Sequence, residues 1–173
     1  MPMTRRLLLQ APPAAVGMML LGACTPGGVE ALDVPALPGV YGTFGAMRGF
    51  RHADLKGSVT LLHALASWCP FCQQESAFLR TLAYDRRFQM FGLFVKDTEA
   101  NAKAYISRHG NPYAAIGFDA DKRAEQQVGV RGVPNSFIVD KQGRIALTRR
   151  GMITDDYFRQ KMLPLIETLD RSA

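Results

Sequence analysis

The chain reads Val-Thr-Leu-Leu-His-Ala-Leu-Ala-Ser-Trp-Cys-Pro-Phe-Cys over residues 59–72. The first eight of these residues form a nearly continuous apolar run, which is typical of a buried strand. Pro70 follows closely, and proline suits the first turn of a helix because the amide it lacks would be unpaired there. The stretch therefore predicts a strand over residues 59–66 that leads into a helix over residues 70–84. We expect the buried face of that helix to carry Ala77, Phe78 and Leu82.

Two cysteines, Cys69 and Cys72, lie one helical turn apart at the start of the predicted helix. A cysteine at a helix N-terminus faces unpaired backbone amides and the positive end of the helix dipole, and both favour the thiolate. We therefore expect Cys69 to be the nucleophile in thiol–disulfide exchange. Cys72 is placed to attack the mixed disulfide that Cys69 forms with a substrate, and we expect it to be the more buried, resolving thiol.

The alternative for two closely spaced cysteines is half of a zinc site, which requires two further ligands. The chain has no second cysteine pair, and His52, His63 and His109 do not have the spacing of zinc ligands. The sequence therefore favours redox chemistry without a metal, and this chemistry requires no organic cofactor. A copper-chaperone use of the same cysteines is the remaining metal alternative.

The pattern after the first helix predicts six further elements, with an α/β sandwich around a mixed sheet as the fold class. They are a strand over residues 88–95, a helix over 98–109 that ends at Gly110, a short helix over 121–127, a hairpin of strands 136–139 and 145–149, and a closing helix over 154–169. Pro164 lacks an amide hydrogen and is expected to disturb the closing helix. Lys96 and Asp97 are interpreted as a solvated pair without a chemical role.

Composition narrows the functional classes. The 173 residues suffice for one domain and an export segment. Hydrophobic residues make up 47% and charged residues 21%, a balance typical of a globular protein. The formal net charge is +6, but the basic residues are scattered along the chain, so we expect no nucleic-acid binding.

The N-terminal residues have the pattern of an export signal. Arg5 and Arg6 precede a mainly apolar stretch that ends in Leu-Gly-Ala-Cys. This ending resembles the lipobox of bacterial lipoproteins, which implies that residues 1–23 are a signal peptide and that Cys24 is a lipid anchor. An uncleaved N-terminal anchor helix and a plain signal peptide are the alternatives. The paired arginines leave both Sec and twin-arginine export open.

The segment after Cys24 separates the anchor from the domain. Residues 24–38 are rich in proline and glycine and predict a flexible tether, so we expect the folded domain to span residues 39–173. The chain has three cysteines, and one of them is assigned to the anchor. The close pair that remains does not make a structural disulfide framework.

A second motif, Gly-Val-Arg-Gly-Val-Pro-Asn, occupies residues 129–135. Its pairing with Trp-Cys-Pro-Phe-Cys resembles the thioredoxin superfamily. That resemblance implies a three-layer sandwich with a central mixed sheet, a cis peptide bond before Pro134 opposite the dithiol, and a Val133 backbone offered to an extended substrate. The substrate-binding surface implied around the dithiol consists of Trp68, Pro70, Phe71, Val133 and Pro134.

Within that superfamily the chain resembles the DsbE/CcmG branch, which is TlpA-like. The resemblance covers residues 37–169 and rests on Cys-Pro-x-Cys followed by Glu75, on Val-Lys-Asp at residues 95–97 and on Gly-Asn-Pro-Tyr-Ala at residues 110–114. In that branch an acidic residue on the active-site helix tunes the dithiol, and Glu75 occupies the matching position. A carboxylate there disfavours a nearby thiolate and can relay protons. A solvated helix charge is the alternative.

The resemblance implies a dithiol reductant of cytochrome c maturation on the periplasmic side of a bacterial membrane. Its substrate would be the Cys-x-x-Cys-His heme-attachment site of an apocytochrome c, or a partner that holds it. A membrane thiol donor of the DsbD/CcdA type would re-reduce the dithiol, because an oxidising compartment does not. The alternatives are a broader exported reductase, an oxidant with the same residues, and a binding module without redox chemistry.

Three positions depart from the pattern of that branch: His63, where Asn or Asp is usual, Leu65, near an expected aromatic residue, and Asn135, where an acidic residue is frequent. His63 would lie on the strand behind the cysteines, where a group that titrates near neutrality could exchange protons with Cys72. A buried histidine paired with a backbone carbonyl is an equal alternative.

Overall fold

The computed structural model describes residues 33–34, 41–42, 45–46 and 48–172. A five-stranded mixed sheet lies at the centre of the described part, with the strand order β7-β6-β5-β8-β9. Its strands are β5 (Thr60–Leu65), β6 (Gln89–Val95), β7 (Ala115–Asp119), β8 (Asn135–Val139) and β9 (Ile145–Arg150). β6 is parallel to β5 and β7, whereas β8 is antiparallel to β5 and β9.

Helices pack against both faces of this sheet. One face buries α1 (Pro70–Leu82), α2 (Glu99–His109) and the closing helix. The other face buries α3 (Arg123–Val128) and a 3₁₀ turn (His52–Leu55). Because side chains alternate along a strand, β5 sends Leu61, His63 and Leu65 toward α1 and sends Leu62 and Ala64 toward α3. The predicted three-layer α/β sandwich is therefore confirmed.

Short strand pairs precede the sheet. β1 (Asp33–Val34) is antiparallel to β4 (Phe50–Arg51), and β2 (Tyr41–Gly42) is antiparallel to β3 (Gly45–Ala46). The predicted signal peptide over residues 1–23 and the lipid anchor Cys24 lie outside the described residues, as does most of the predicted tether over residues 24–38. Within the part of the chain that the structure describes, no helix combines the length and the apolar character needed to cross a membrane.

The helix that carries the dithiol begins as predicted, but its buried face differs from the expected one. Pro70 lies in the first turn, and the buried residues of α1 are Cys72, Glu75, Leu79 and Leu82. This spacing of three, four and three residues follows one side of a helix. Ala77 is exposed, so its assignment to the buried face was wrong. The hydrophobic pattern misplaced the face because a carboxylic acid, Glu75, occupies one of its central positions.

The closing helix runs from Asp155 to Arg171 in three continuous parts, α4 (Asp155–Tyr157), a π-helical turn (Phe158–Met162) and α5 (Leu163–Arg171). The Thr154 side chain caps its start by accepting a hydrogen bond from the Tyr157 amide. The π-helical turn comes directly before the segment that contains Pro164, which cannot donate an intrahelical hydrogen bond. The predicted disturbance near Pro164 is therefore confirmed.

Candidate active site

Cys69 is the N-cap residue of α1, and its sulfur is held between two backbone groups. The amide of Cys72 donates to Sγ of Cys69 at 3.4 Å, which is the contact that an N-cap side chain makes with an unpaired helix amide. The Cys69 thiol donates to the carbonyl oxygen of Val133 at 3.5 Å. The residue is only 2% exposed.

Cys72 lies one turn further along α1 and is fully buried. Both cysteines are free thiols. Burial is the main cause that raises the pKa of the Cys72 thiol well above its ordinary range, and the hydrogen bond with Cys69 is the second. The hydroxyl of Tyr105 on α2 donates to the backbone oxygen of Cys72 at 2.7 Å and ties the two helices together. The prediction that Cys72 is the more buried thiol is confirmed.

The segment opposite the dithiol has the geometry that the resemblance implies. The Val133–Pro134 peptide bond is cis. The carbonyl oxygen of Pro134 accepts a hydrogen bond from the Gly151 amide at 2.9 Å, which joins this loop to the residue that follows β9. Val133 is half-buried and directs its carbonyl oxygen at Cys69. The structure therefore brings together the two motifs that the sequence analysis singled out.

Large apolar side chains flank the cysteines on the surface. Trp68 is 57% exposed and Phe71 is 55% exposed, and Pro70 between them is also exposed. The Trp68 indole is not free to rotate, because its Nε1 donates to the backbone oxygen of Lys96 at 2.8 Å. An apolar surface of this kind next to a recessed sulfur is suited to contact a polypeptide.

The interpretation of Lys96 and Asp97 as a solvated pair was wrong. The Asp97 carboxylate accepts hydrogen bonds from the Ser67 amide at 2.5 Å and from the Ser67 hydroxyl at 2.8 Å. Lys96 has a positive φ of 52°, a conformation that turns the chain at the end of β6 and directs its carbonyl oxygen at Trp68. The Val-Lys-Asp motif therefore holds the loop that leads into Cys69.

Glu75 is buried beneath the dithiol rather than solvated, so the alternative of a solvated helix charge was wrong. The residue is 2% exposed, and its Oε2 accepts a hydrogen bond from the Ile153 amide at 2.7 Å. Burial is the main influence on the Glu75 carboxyl and raises its pKa to about 7, while the Ile153 amide and the charge of Arg149 oppose this rise. Glu75 can therefore gain or lose a proton near neutrality.

His63 is fully buried on β5, and its partners are side chains rather than a backbone carbonyl. Nδ1 lies 2.9 Å from the hydroxyl oxygen of Ser136, the residue directly opposite on β8. Nε2 lies 3.3 Å from Oε1 of Glu75, a distance short enough for an ion pair, but the contact lacks hydrogen-bond geometry. Burial lowers the pKa of His63 to about 3, so we describe the histidine as neutral.

Tyr113 belongs to the Gly-Asn-Pro-Tyr segment and closes the far side of His63. The two rings are nearly parallel, at 14°, with centroids 6.1 Å apart. The Asn111 side chain accepts a hydrogen bond from the Tyr113 amide at 3.0 Å and shapes the turn that delivers the ring. The ring lies so close to Gly92 on β6 that a Cβ atom there would be 2.9 Å from Cδ2. The sequence analysis did not assign these contacts.

Two further observations concern residues outside this arrangement. Asn135 is buried, and neither of its side-chain polar atoms has a hydrogen-bond partner among the described residues. Among the same residues, no three histidine, cysteine, aspartate or glutamate side chains lie close enough together to hold a metal ion.

Comparison with known proteins identifies the family to which this arrangement belongs. The model of the family described as Redoxin matches residues 48–157, which include the dithiol, the buried Glu75 and the cis proline loop. This chain belongs to the Redoxin family. The predicted thioredoxin-type membership is therefore confirmed.

Several curated relatives share the description thiol:disulfide interchange protein. The thiol:disulfide interchange protein HelX of Rhodobacter capsulatus is 36% identical over 123 residues, which are 70% of this chain and 69% of that protein. The thiol:disulfide interchange protein CycY of Rhizobium leguminosarum is 36% identical over 66% of this chain and 62% of its own length. The thiol:disulfide interchange protein DsbE of Allochromatium vinosum is 38% identical over 65% of this chain and 62% of its own length. The matched part thus spans somewhat less than two thirds of the CycY and DsbE relatives, and the DsbE-type resemblance is confirmed.

Solved structures confirm the fold independently. A secreted disulfide oxidoreductase of Mycobacterium tuberculosis, homologous to Escherichia coli DsbE, superposes with a TM-score of 0.62 at 18% identity and covers 80% of this chain and 96% of its own. A thiol-disulfide isomerase of Corynebacterium glutamicum superposes with a TM-score of 0.62 at 17% identity and covers 84% of this chain and 98% of its own. At these identities the likeness concerns the fold alone.

Proposed function

We propose that this Redoxin chain is a thiol–disulfide oxidoreductase that reduces disulfides in exported proteins through Cys69 and Cys72. The observation that carries the proposal is the position of Cys69 Sγ, between the Cys72 amide in the first turn of α1 and the carbonyl of Val133, with the Cys72 side chain buried. Backbone donors at a helix N-terminus stabilise a thiolate, which is the reactive form in exchange. The names of the curated relatives support this reaction class.

The reaction balances as a two-electron exchange. The Cys69 thiolate attacks one sulfur of the substrate disulfide, and the other substrate sulfur leaves as a thiolate. Cys72 then loses its proton and attacks Cys69, which forms the Cys69–Cys72 disulfide and releases the second substrate thiolate. Glu75 is three residues from Cys72 on the same buried face of α1 and is the group that receives this proton. A dithiol donor must reduce the chain again.

We expect a substrate to contact the exposed ring of Phe71, the fixed indole of Trp68, Pro70 and the half-buried Val133, whereas Pro134 is buried and shapes the loop. Trp68, Pro70 and Phe71 adjoin Cys69 along the chain, and the Val133 carbonyl oxygen contacts its sulfur from the cis proline loop. An extended segment with a disulfide can contact the apolar rings while its backbone approaches Val133, as the resemblance implies. Side chains near the disulfide would thus contribute affinity without selecting one sequence.

By the resemblance to the DsbE/CcmG branch, the substrate is the heme-site cysteine pair of an apocytochrome c, or a partner that holds it. The same resemblance gives a periplasmic location, a membrane thiol donor of the DsbD/CcdA type, and a tether through Cys24 or an N-terminal helix. The relatives' names support the exchange chemistry, and the buried Glu75 supports the DsbE type.

The first experiment measures the reduction potential of the full chain in thiol–disulfide buffers, with Trp68 fluorescence as the readout. A value near the roughly −270 mV of thioredoxin supports a reductant, whereas a value near the roughly −120 mV of DsbA reverses the electron flow. The absence of any reversible transition would reject the redox assignment in favour of a binding module. Cys72→Ser should trap the mixed disulfide on Cys69 with an apocytochrome peptide, and Cys69→Ser is the matched control that should trap nothing.

A further inference from the structure

We propose that Ser136 and Tyr113 are positioning residues for a protonated Glu75: they hold a neutral His63 in the tautomer whose Nε2 accepts the Glu75 carboxyl proton. The inference rests on the proposed function, because it deepens the role of the buried carboxyl beside Cys72. It assigns roles to Ser136 and to the Gly-Asn-Pro-Tyr segment, which the exchange steps alone leave without one.

The contact between His63 Nε2 and Glu75 Oε1 accommodates one proton between the two atoms. Nε2 and Oε1 face each other at 3.3 Å, and neither has a hydrogen-bond partner elsewhere among the described residues. With no proton between them, two lone pairs would face each other, and with two protons, two hydrogens would. A single proton between the two atoms avoids both the facing lone pairs and the facing hydrogens. A small rotation of either side chain then completes the hydrogen bond.

Burial decides which atom carries that proton. His63 is fully buried and Glu75 is 2% exposed, so an imidazolium–carboxylate pair would place two charges in an apolar interior. The neutral arrangement keeps the proton on Glu75 and leaves Nε2 as the acceptor. The lowered pKa of His63 and the raised pKa of Glu75 agree with this arrangement. The single proton of a neutral imidazole then lies on Nδ1.

Ser136 completes the arrangement on the other side of the ring. Its hydroxyl oxygen lies 2.9 Å from Nδ1 and is itself fully buried. A hydroxyl can accept from Nδ1–H, and it can turn to donate to a bare Nδ1. A buried N–H without an acceptor is harder to accommodate than a bare nitrogen, so the Ser136 hydroxyl favours the tautomer with Nδ1–H and a bare Nε2. A serine opposite His63 in the β5–β8 register serves both protonation states of Glu75.

Tyr113 fixes the plane of the His63 ring. The nearly parallel rings and the close approach of Tyr113 to Gly92 leave His63 little room to rotate about its side-chain bonds. Rotation would take Nε2 away from Glu75 and Nδ1 away from Ser136 at the same time. The turn at Asn111 delivers the tyrosine, so this segment supports the carboxyl site from the edge of the sheet.

The charged and titratable groups around His63 and Glu75 come from every neighbouring element. They are Cys69 and Cys72 on α1, Tyr105 on α2, Tyr113 before β7, and Arg149 on β9. Both tyrosines have a raised pKa, chiefly through burial, and stay neutral near pH 7. The tyrosines therefore take no part in proton exchange near neutrality, whereas Glu75, with a pKa of about 7, does.

The test is ¹⁵N NMR of the histidine side chains in the full chain, which distinguishes a protonated from a bare ring nitrogen. Between the His63 pKa of about 3 and the Glu75 pKa of about 7, His63 should be the Nδ1–H tautomer, and it should change to the Nε2–H tautomer as Glu75 ionises near pH 7. Glu75→Gln should remain Nδ1–H on both sides of pH 7, because the amide nitrogen donates permanently to Nε2. An Nε2–H tautomer or an imidazolium between these two pKa values would overturn the inference.

Ser136→Ala tests the second partner. It should shift the tautomer midpoint to lower pH by about one unit, since a buried N–H without an acceptor is harder to accommodate than a bare nitrogen. Ser76→Ala is the matched control, because Ser76 lies near His109 and not His63. Equal midpoints in the wild type and Ser136→Ala would remove Ser136 from the arrangement.

Tyr113→Phe keeps the ring and should keep the tautomer midpoint, whereas Tyr113→Leu should lose the single sharp His63 signal. If Tyr113→Leu does not fold, Gly92→Ala displaces the same ring from the β6 side and should shift the midpoint instead. An unchanged His63 spectrum in the displaced variant would overturn the role of Tyr113.

A kinetic measurement separates this inference from the proposed function. The rate at which Cys72 resolves a mixed disulfide should rise with pH through the Glu75 midpoint, and Glu75→Gln should slow it by about 100-fold and remove the rise. If resolution is normal but the tautomers are not those described, the inference fails and the oxidoreductase stands. If no dithiol transition occurs, the proposed function fails whatever the tautomer.

Discussion

The Sγ atom of Cys69 lies 3.5 Å from the carbonyl oxygen of Val133, although 64 residues separate them along the chain. The sheet explains the contact: α1 follows β5, the cis proline loop precedes β8, and these two strands are antiparallel neighbours in the middle of the sheet. Antiparallel pairing places the end of β5 beside the beginning of β8. The active site is therefore a product of one strand pairing.

The buried pair predicts an unusual pH dependence of stability. Glu75 has a folded pKa of about 7 against an ordinary 4.5, so the stability it contributes falls as pH rises from about 4.5 to about 7. His63 has a folded pKa of about 3 against an ordinary 6.5, so its contribution is lost as pH falls from about 6.5 to about 3. The two contributions oppose each other between about pH 4.5 and 6.5.

Single substitutions should therefore reveal slopes of opposite sign in that window. The unfolding free energy of His63→Asn should fall with rising pH, and that of Glu75→Gln should rise, each by an amount on the order of 2–3 kcal/mol. Urea unfolding at several pH values measures both. Glu99→Gln, on the surface of α2, is the control and should follow the wild type. Slopes of the same sign in the two variants would contradict the burial of this pair.

Asp97 should matter for the loop before the dithiol. Asp97→Ala removes the acceptor of the Ser67 amide and hydroxyl and should cost about 1–3 kcal/mol of stability. It should also change the Trp68 emission spectrum, because the adjoining Lys96 carbonyl holds the indole. Asp121→Ala, an exposed aspartate with one backbone contact, should change neither measurement. Identical emission in the two variants would show that Asp97 does not position the loop.

A side chain at Gly92 should destabilise the folded protein. In Gly92→Ala the new Cβ would lie 2.9 Å from the Tyr113 ring, and the forced movement should cost about 1–3 kcal/mol. Gly132→Ala is a matched control, because nothing lies within 4 Å of a Cβ there and its φ is not positive. Thermal unfolding of the two variants measures the difference. A Gly92→Ala protein as stable as Gly132→Ala would show that the Tyr113 ring moves freely.

The exposed rings should contribute to recognition of protein substrates only. Phe71→Ala should lower kcat/KM for an unfolded disulfide-containing polypeptide by about tenfold, comparable to the loss of one important interface residue. Its rate with a small disulfide should change little, because that reactant needs only Cys69. Tyr84→Ala is the control, since Tyr84 is 87% exposed and lies just past the C-terminal end of α1. Equal losses for both substrates would point to damage at Cys69 instead.

Much of the fold follows from local pattern. The β5 strand, the start of α1 at Pro70 and the end of α2 at Gly110 were each predicted from a few adjacent residues, and the structure agrees closely. β7 was not predicted, because Ala115–Asp119 is short, contains a glycine and follows a Pro-Tyr turn without a clear alternation. It forms because its backbone pairs with β6, which no local pattern reports.

The active site shows the same difference between residues in local motifs and contacts between distant residues. The dithiol and the cis proline were predictable because each lies in a contiguous motif. The partners of His63 were not, because Ser136 reaches it across a strand pair and lies 73 residues away. Ser67 meets Asp97 for a similar reason, through the parallel neighbours β5 and β6. In the sequence a charged residue such as Asp97 looks like a surface residue, and only the folded structure shows that hydrogen bonds fix its position.

The hydrogen bond from the Ile153 amide to Glu75 has a use that depends on no substrate. An amide that donates to a carboxylate is held more firmly than one that donates to a neutral acid. The Ile153 proton should therefore respond in NMR frequency and in solvent-exchange rate to each change of charge at Glu75. One backbone amide outside the dithiol helix thus becomes an intrinsic probe of the active-site charge, readable without a mutation or a reaction partner.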